Sequence, residues 1–157
     1  NYDAVGYGVF PIDNMNGIPG IKDDLARGYS YINLYENVLS GHINPKKALN
    51  VFIDGVSSEK EELILNSIGG KITTIFWDYI SEDERHVIGG KLEGLLFELL
   101  KKEEFSSSYK KTLFSIFKSI AYSGHGLDLL YRIWNKSLVI KDLNLKNYLL
   151  ISNFLTH

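Results

Sequence analysis

Apolar residues along most of the chain have the spacing of amphipathic helices. From Lys22 onward they recur every three or four positions, as they do on one face of an α-helix. The first such face contains Leu25, Tyr29, Ile32, Tyr35 and Leu39. Gly41 follows it and is a typical helix terminator. We interpret these residues as the apolar face of a first helix.

Capping residues predict where the next helices begin. Asn44 followed by Pro45 is typical of an N-cap and a first turn. Ser58-Glu-Lys-Glu61 and Ser81-Glu-Asp-Glu84 have the spacing of capping boxes, in which Ser and Glu bond reciprocally to backbone N–H groups. Because Ser81 would end one helix and begin the next, we expect these two helices to pack side by side and antiparallel.

The remaining apolar stripes indicate about seven helices in successive pairs. We expect inward faces in the third and fourth helices at Leu65, Ile68, Ile72, Ile75, Phe76 and Tyr79, and at Ile88, Leu92, Leu95, Leu96 and Leu99. The fifth and sixth stripes contain Leu113, Ile116, Phe117 and Ile120, and Leu127, Leu130, Tyr131 and Trp134. Ser106 to Ser108 and Gly124-His-Gly126 are interpreted as the breaks before these helices, and a last helix is predicted from Asn144 to about Phe154.

The first twenty residues have a different character. Asn1 to Asp13 is predicted to be strand, and a Gly/Pro-rich connector follows at 14–21. We expect two parts: a β remnant and connector at 1–21, left by a preceding β domain, and a helical domain at 22–157. The predicted fold is all-α, with paired antiparallel helices in an α-solenoid of the ARM/HEAT kind and a short N-terminal β remnant.

Composition excludes several classes of function. The net charge of −2 gives no electrostatic basis for nucleic-acid binding, and no apolar run approaches the ~20 residues of a membrane span. We interpret the basic pairs Lys101-Lys102 and Lys110-Lys111 as solvated faces. There is no Cys, which excludes thiol chemistry. We expect a soluble domain, and the compartment, cytoplasmic or exported, stays open.

The sequence supplies no catalytic or metal-binding pattern. Four isolated histidines, at 42, 86, 125 and 157, lack a second ligand at metal spacing, and His-Glu-x-x-His is absent. Carboxylates cluster in predicted first turns, where the helix dipole explains them. Aromatics such as Tyr35, Trp77, Tyr79 and Trp134 are interpreted mainly as core. We therefore predict no catalytic residue, no metal ligand and no cofactor here, and the sequence identifies no substrate-binding residue.

The internal glycines need a separate explanation. Gly69-Gly70, Gly89-Gly90 and Gly94 lie inside strong helices, where each costs about 1 kcal/mol relative to Ala. We interpret them as places where neighbouring helices approach closely. The alternative is a groove in which another molecule reaches the backbone.

Order and spacing together resemble one family, the aminopeptidase N-like zinc peptidases of bacteria. Asn1 to Asp13 is similar to the strands that close the family's β-sandwich before its C-terminal helical domain. Asp24-Leu-Ala-Arg27 is similar to the start of that domain's first helix, and Leu34-Tyr-Glu-Asn37 to its continuation. Gly126 to Trp134 also resembles the bacterial branch. The resemblance covers most of the chain without one decisive motif.

The resemblance implies a specific role. The parent protein would be a zinc exopeptidase that removes N-terminal amino acids from peptides, with its zinc ligands upstream of this chain. This domain would contact the upstream β-sandwich and catalytic domains, cap the active site and shape the channel for peptide substrates. The alternative is a stand-alone helical-repeat module for protein–protein interaction. A small enzyme whose acid and base meet only in three dimensions is a third possibility.

Overall fold

A computed structural model describes residues 12–143, and all regular secondary structure in this part of the chain is helical. The helices are a 3₁₀ helix at Ile12–Gly20, α1 at Asp24–Leu39, α2 at Pro45–Ser58, α3 at Glu62–Asp78, α4 at Glu82–Lys101, α5 at Ser107–Ile120 and α6 at Gly124–Trp134. The all-α prediction is confirmed for these residues. The chain divides at Ser81 into two compact units, unit 1 (Asn1–Ser81) and unit 2 (Glu82–His157).

The segment before α1 differs from the prediction where it is described. Residues 1–11, most of the predicted β remnant, lie outside the described residues. Ile12–Gly20 was expected to be strand end and connector, but it forms the 3₁₀ helix. Met15 and Ile18 are both buried, and a helix with three residues per turn aligns two such positions on one side. The 3₁₀ helix packs on α1 and α2 with this side.

The predicted N-cap at Asn44 is confirmed, and α5 begins at Ser107, inside the break predicted at Ser106 to Ser108. The Asn44 side chain accepts from the N–H groups of Lys46 and Lys47, and the Ser106 side chain accepts from Tyr109 N. The predicted capping box at Ser58 was wrong. Ser58 is the last residue of α2 and its hydroxyl donates to Asp54 O, so it is not available to begin α3.

The core of unit 1 forms mainly between α2 and α3. The α3 stripe is buried as predicted, except for Tyr79, which is exposed together with Trp77. The prediction that these two aromatics are core was therefore wrong. From α2 the buried apolar side chains are Ala48, Leu49, Val51, Phe52 and Val56.

The core of unit 2 forms mainly between α4 and α5. All four predicted α5 positions are buried, as are Leu92, Leu96 and Leu99 of α4. The predicted inward face of α6 was right at Leu130, which is buried, and wrong at Leu127 and Tyr131, which are exposed. Leu129 and Ile133 are buried instead. Gly124-His-Gly126 was expected to be a turn, but it is the first turn of α6.

Some predictions are not tested by the described residues. The antiparallel pairing of α3 with α4 and the solenoid arrangement both concern the relation between the two units. The last predicted helix, from Asn144 to about Phe154, lies outside the described residues. The interpretation of the internal glycines was wrong at three positions. Apart from chain neighbours and the backbone of the same helix, no atom lies within 4 Å of where a Cβ would stand on Gly70, Gly90 or Gly94.

Candidate functional site

An apolar stripe on α1 faces solvent instead of the core. Leu25, Tyr29, Ile32 and Leu39 are exposed by 64%, 51%, 42% and 46% of their surface. With Glu36 they follow a 4-3-4-3 spacing along the whole helix, so the five side chains lie along one side of it. We call these five residues the α1 face. The prediction took four of them as the apolar face of the helix, but the core does not use this face.

The opposite side of α1 is the one that packs into unit 1. Arg27, Tyr31, Leu34 and Val38 are buried and have the same 4-3-4 spacing. The helix therefore has two faces rich in apolar or long side chains, of which the fold buries only one. Tyr35, the fifth residue of the predicted apolar face, lies on the flank of the helix, where the Lys71 ammonium is 5.7 Å from its ring centroid.

Residues of opposite charge lie near the two ends of α1. Lys22 is exposed two residues before the helix, and Glu36 lies in the last turn of the helix. Neither side chain has an ion pair with another described residue. Glu36 acts on Lys71 of α3 electrostatically: burial lowers the pKa of Lys71, and the Glu36 carboxylate opposes part of that shift. Glu36 is thus near α3 on one side and near solvent on the other.

A buried ion pair fixes the position of α1. Arg27 donates from Nε to Glu59 Oε2 and from Nη2 to Glu59 Oε1, both at 2.8 Å, so the pair is bidentate. The same guanidinium donates to Ile21 O at 2.7 Å and to Asp24 Oδ1 at 2.6 Å. It therefore holds the start of α1 and the connector before it against the end of α2.

Glu59 also caps the start of α3. Its Oε1 accepts from the N–H groups of Lys60 and Glu61, both at 2.9 Å, just before the helix begins. Burial alone would raise the pKa of Glu59. The hydrogen bonds from Arg27 and from these two N–H groups outweigh burial, so the pKa of Glu59 is lowered. Glu59 is ionised at neutral pH and joins three helices.

Tyr31 lies beside this ion pair with an unsatisfied hydroxyl. The residue is 1% exposed, its ring packs 5.7 Å from that of Phe52, and its hydroxyl has no hydrogen-bond partner among the described residues. Burial raises the pKa of Tyr31, and the Glu59 carboxylate raises it further. A Cβ on Gly55 would stand 2.9 Å from the Tyr31 ring carbon that bears the hydroxyl. Gly55 is the close approach that the sequence did not identify.

Unit 2 contains a second buried carboxylate, that of Glu93 on α4. Its Oε1 accepts from Tyr122 N at 2.7 Å and from Ser123 N at 2.9 Å, and its Oε2 accepts from the Ser123 hydroxyl. Ser123 is the N-cap of α6 and accepts in turn from Gly126 N. A carboxylate is favourable at this helix N-terminus because the first N–H groups and the dipole are positive there.

Gly126 is required by the position of Glu93. A Cβ on Gly126 would stand 2.7 Å from both carboxylate oxygens, a distance at which something must move. By contrast, Gly124 has open space around it. The sequence placed both glycines in a turn, but only Gly126 has a packing reason, and that reason lies on another helix.

Lys110 of α5 was predicted to belong to a solvated face, and this was wrong. It is fully buried, and its Nζ donates to Lys141 O at 2.8 Å. The neighbouring Lys111 is exposed, as expected. Burying an ammonium group costs free energy. The packing of the long aliphatic stem of Lys110 and the hydrogen bond from its Nζ to Lys141 O offset this cost.

The histidines do not form a site within the described residues. His42 shares a 2.7 Å hydrogen bond with the Ser40 hydroxyl, and His86 lies 3.3 Å from the Tyr122 hydroxyl. His125 is exposed in the first turn of α6, and His157 lies outside the described residues. From residue 12 to residue 143, no group of three His, Cys, Asp or Glu side chains could hold a metal ion. The zinc that the resemblance implies has no set of ligands in this range.

Sequence reasoning missed Glu59 and Glu93 as buried groups. Glu59 was counted among first-turn carboxylates, and its partner Arg27 lies 32 positions earlier. Glu93 interrupts an otherwise apolar stretch of α4, between Leu92 and Leu95, and that interruption was the one available signal.

The comparisons with known proteins found no relative. No protein-family model matches the chain, and neither a curated protein nor a solved structure matches it. In the described part of the chain, no helix is long and apolar enough to cross a membrane.

Proposed function

We propose that this chain is a docking domain, in which the α1 face binds a helix of another protein molecule. The observation that carries the proposal is the exposure of Leu25, Tyr29, Ile32 and Leu39 on one side of a helix whose opposite side is fully packed. A contiguous exposed apolar patch is uncommon on monomeric proteins and is typical of interaction surfaces. The spacing is the one that a helix pair requires, since ridges at three and four residues fit the grooves of a partner helix.

The surroundings of α1 support this use. The bidentate pair of Arg27 with Glu59 holds the helix to α2 and α3, so the α1 face is fixed before a partner arrives. A preorganised surface loses little conformational entropy on binding. Tyr29 adds a hydroxyl to the apolar stripe, a combination that is enriched in protein interfaces.

Site-specific photo-cross-linking in the source cells tests the proposal. A photoreactive phenylalanine analogue at Tyr29 is expected to cross-link to one defined protein, and the cross-link should disappear when Ile32→Glu is added. The same analogue at Ser57, an exposed position of α2, is the control and should give no such product. Identification by mass spectrometry and binding of the purified partner complete the test. Equal labelling from both positions would contradict the proposal.

A more specific proposal follows from the resemblance described above. In it, the domain is the non-catalytic C-terminal cap of a zinc aminopeptidase and docks against the upstream domains. Asp24 and Arg27 carry part of that resemblance, and they are bonded at the start of α1, a structural role that suits a family motif. A His-Glu-x-x-His motif with a distal Glu in the reading frame upstream of Asn1 would support it. An upstream region without that motif would refute it.

A further inference from the structure

The charges near the two ends of α1 bear on which partner the α1 face binds. Its apolar residues span the length of a 16-residue helix, roughly 24 Å; Lys22 lies just before the first residue of this helix and Glu36 lies in its last turn. In a parallel pair of two such helices, each Glu36 would meet the other Glu36. In an antiparallel pair, Glu36 of one copy approaches Lys22 of the other, and the two macrodipoles also oppose each other favourably.

The apolar positions fit the same arrangement. In an antiparallel pair related by a two-fold axis near the middle of α1, Tyr29 of each copy packs against Ile32 of the other, and Leu25 lies opposite the turn that contains Glu36. The interface is isologous, because the same patch serves both copies, and it closes without leaving a free binding face. In this register Tyr29 and Ile32 repeat about the axis as an apolar centre, and Glu36 lies near the positive N-terminal end of the other α1.

We infer that the α1 face binds the α1 face of a second copy of this chain, with the two helices antiparallel. This inference rests on the proposed docking function and names its occupant. The paired area is at the lower end for specific interfaces, about 1,200 Å² or less, so the dimer is weak, with a dissociation constant in the micromolar range.

Sedimentation velocity of the full chain over a concentration series tests the inference. The wild type should pass from monomer to dimer as its concentration rises through the micromolar range. Ile32→Glu should raise the dissociation constant at least tenfold, because it places two buried charges near the axis. Val139→Glu, which changes an exposed apolar residue of unit 2, should leave the dissociation constant unchanged. Circular dichroism verifies that each variant keeps the helical content of the wild type.

Charge reversal tests the orientation. Lys22→Glu and Glu36→Lys should each weaken the dimer several-fold, and the double variant should return close to the wild-type dissociation constant, because the opposite charges again face each other. A chain that stays monomeric at every concentration, or a dimer that Ile32→Glu leaves intact, overturns the inference. So does a double variant that is weaker than either single variant.

The outcome separates the inference from the proposed function. If the chain is monomeric but Tyr29 cross-links to a different protein in cells, the occupant is that protein; the inference fails while the docking function stands. If the face neither self-associates nor cross-links, both fail.

Discussion

Arg27 and Glu59 form a buried, bidentate ion pair across 32 positions of the chain, and this pair joins the start of α1 to the junction of α2 and α3. Both N–H···O distances are 2.8 Å, and the Glu59 side chain is 1% exposed. Arg27 also donates to Ile21 O of the connector, and Glu59 also accepts from the N–H groups of Lys60 and Glu61 just before α3. The pair therefore decides which side of α1 faces the core and, in consequence, which side faces solvent.

Removing the charge of Glu59 is expected to destabilise unit 1. Glu59→Gln leaves the Arg27 guanidinium with only the largely exposed Asp24 carboxylate as counter-charge, and the loss of one partner of a buried pair costs about 3 kcal/mol. Chemical denaturation measures the change in the free energy of unfolding. Glu61→Gln is the matched control, since Glu61 is exposed and its side chain makes no cap bond, and its effect should stay below about 0.5 kcal/mol. Equal effects of the two changes would refute the structural role of the pair.

The same pair makes stability depend on acidity. Since the pKa of Glu59 is lowered by folding, its ionisation contributes stability that is fully present above the ordinary glutamate value of 4.5 and is lost as pH falls through the lowered pKa. The difference in unfolding free energy between wild type and Glu59→Gln should therefore be largest near neutral pH and should shrink below about pH 4.5. A difference that stays constant down to pH 3 would contradict this linkage.

The unsatisfied hydroxyl of Tyr31 gives a prediction of the opposite sign. Tyr31→Phe removes a buried polar group that lacks a described partner and keeps the ring packing with Phe52, so it should be neutral or should stabilise by about 1 kcal/mol. Because burial raises the pKa of Tyr31, the wild type should lose stability as pH rises above 10 relative to this variant. Clear destabilisation by Tyr31→Phe at neutral pH would show that the hydroxyl has a partner.

In unit 2, Gly126 and Gly124 form a matched pair of positions. Gly126→Ala would force a methyl group against the Glu93 carboxylate and should cost about 2 kcal/mol, whereas Gly124→Ala should be neutral or stabilising in a helix. Thermal unfolding compares the two. In a Glu93→Ala background the cost of Gly126→Ala should largely vanish, because the clashing group is gone. An equal cost in both backgrounds would assign the effect to the backbone.

Local signals in the sequence predicted the helices well, because a helix start depends on residues a few positions apart. Asn44 was recognised as a cap for this reason. Ser58 was wrongly predicted to begin α3, since its local sequence suits either the end of α2 or the start of α3 and only packing decides between them. The pattern was equally ambiguous for α1, where two opposite faces have the same spacing.

The buried polar groups could not be predicted, because their partners are distant in sequence. Glu93 accepts hydrogen bonds from Tyr122 and Ser123 only after α4 and α6 have packed. A glycine is required at position 126 only because the Glu93 carboxylate lies beside it. Spacing rules describe one helix at a time, so they do not predict contacts between residues of different helices.

Cysteine cross-linking between two copies tests the central claim, that α1 docks antiparallel on a second α1, most directly. The chain contains no Cys, so Lys22→Cys and Glu36→Cys each introduce a single reactive site. The account predicts that a short thiol-reactive cross-linker joins the two variants when they are mixed, and that each variant alone gives little product. Efficient cross-linking of each variant with itself would indicate a parallel pair, and no product from any combination would show that α1 does not bind its own copy; either result would contradict the claim.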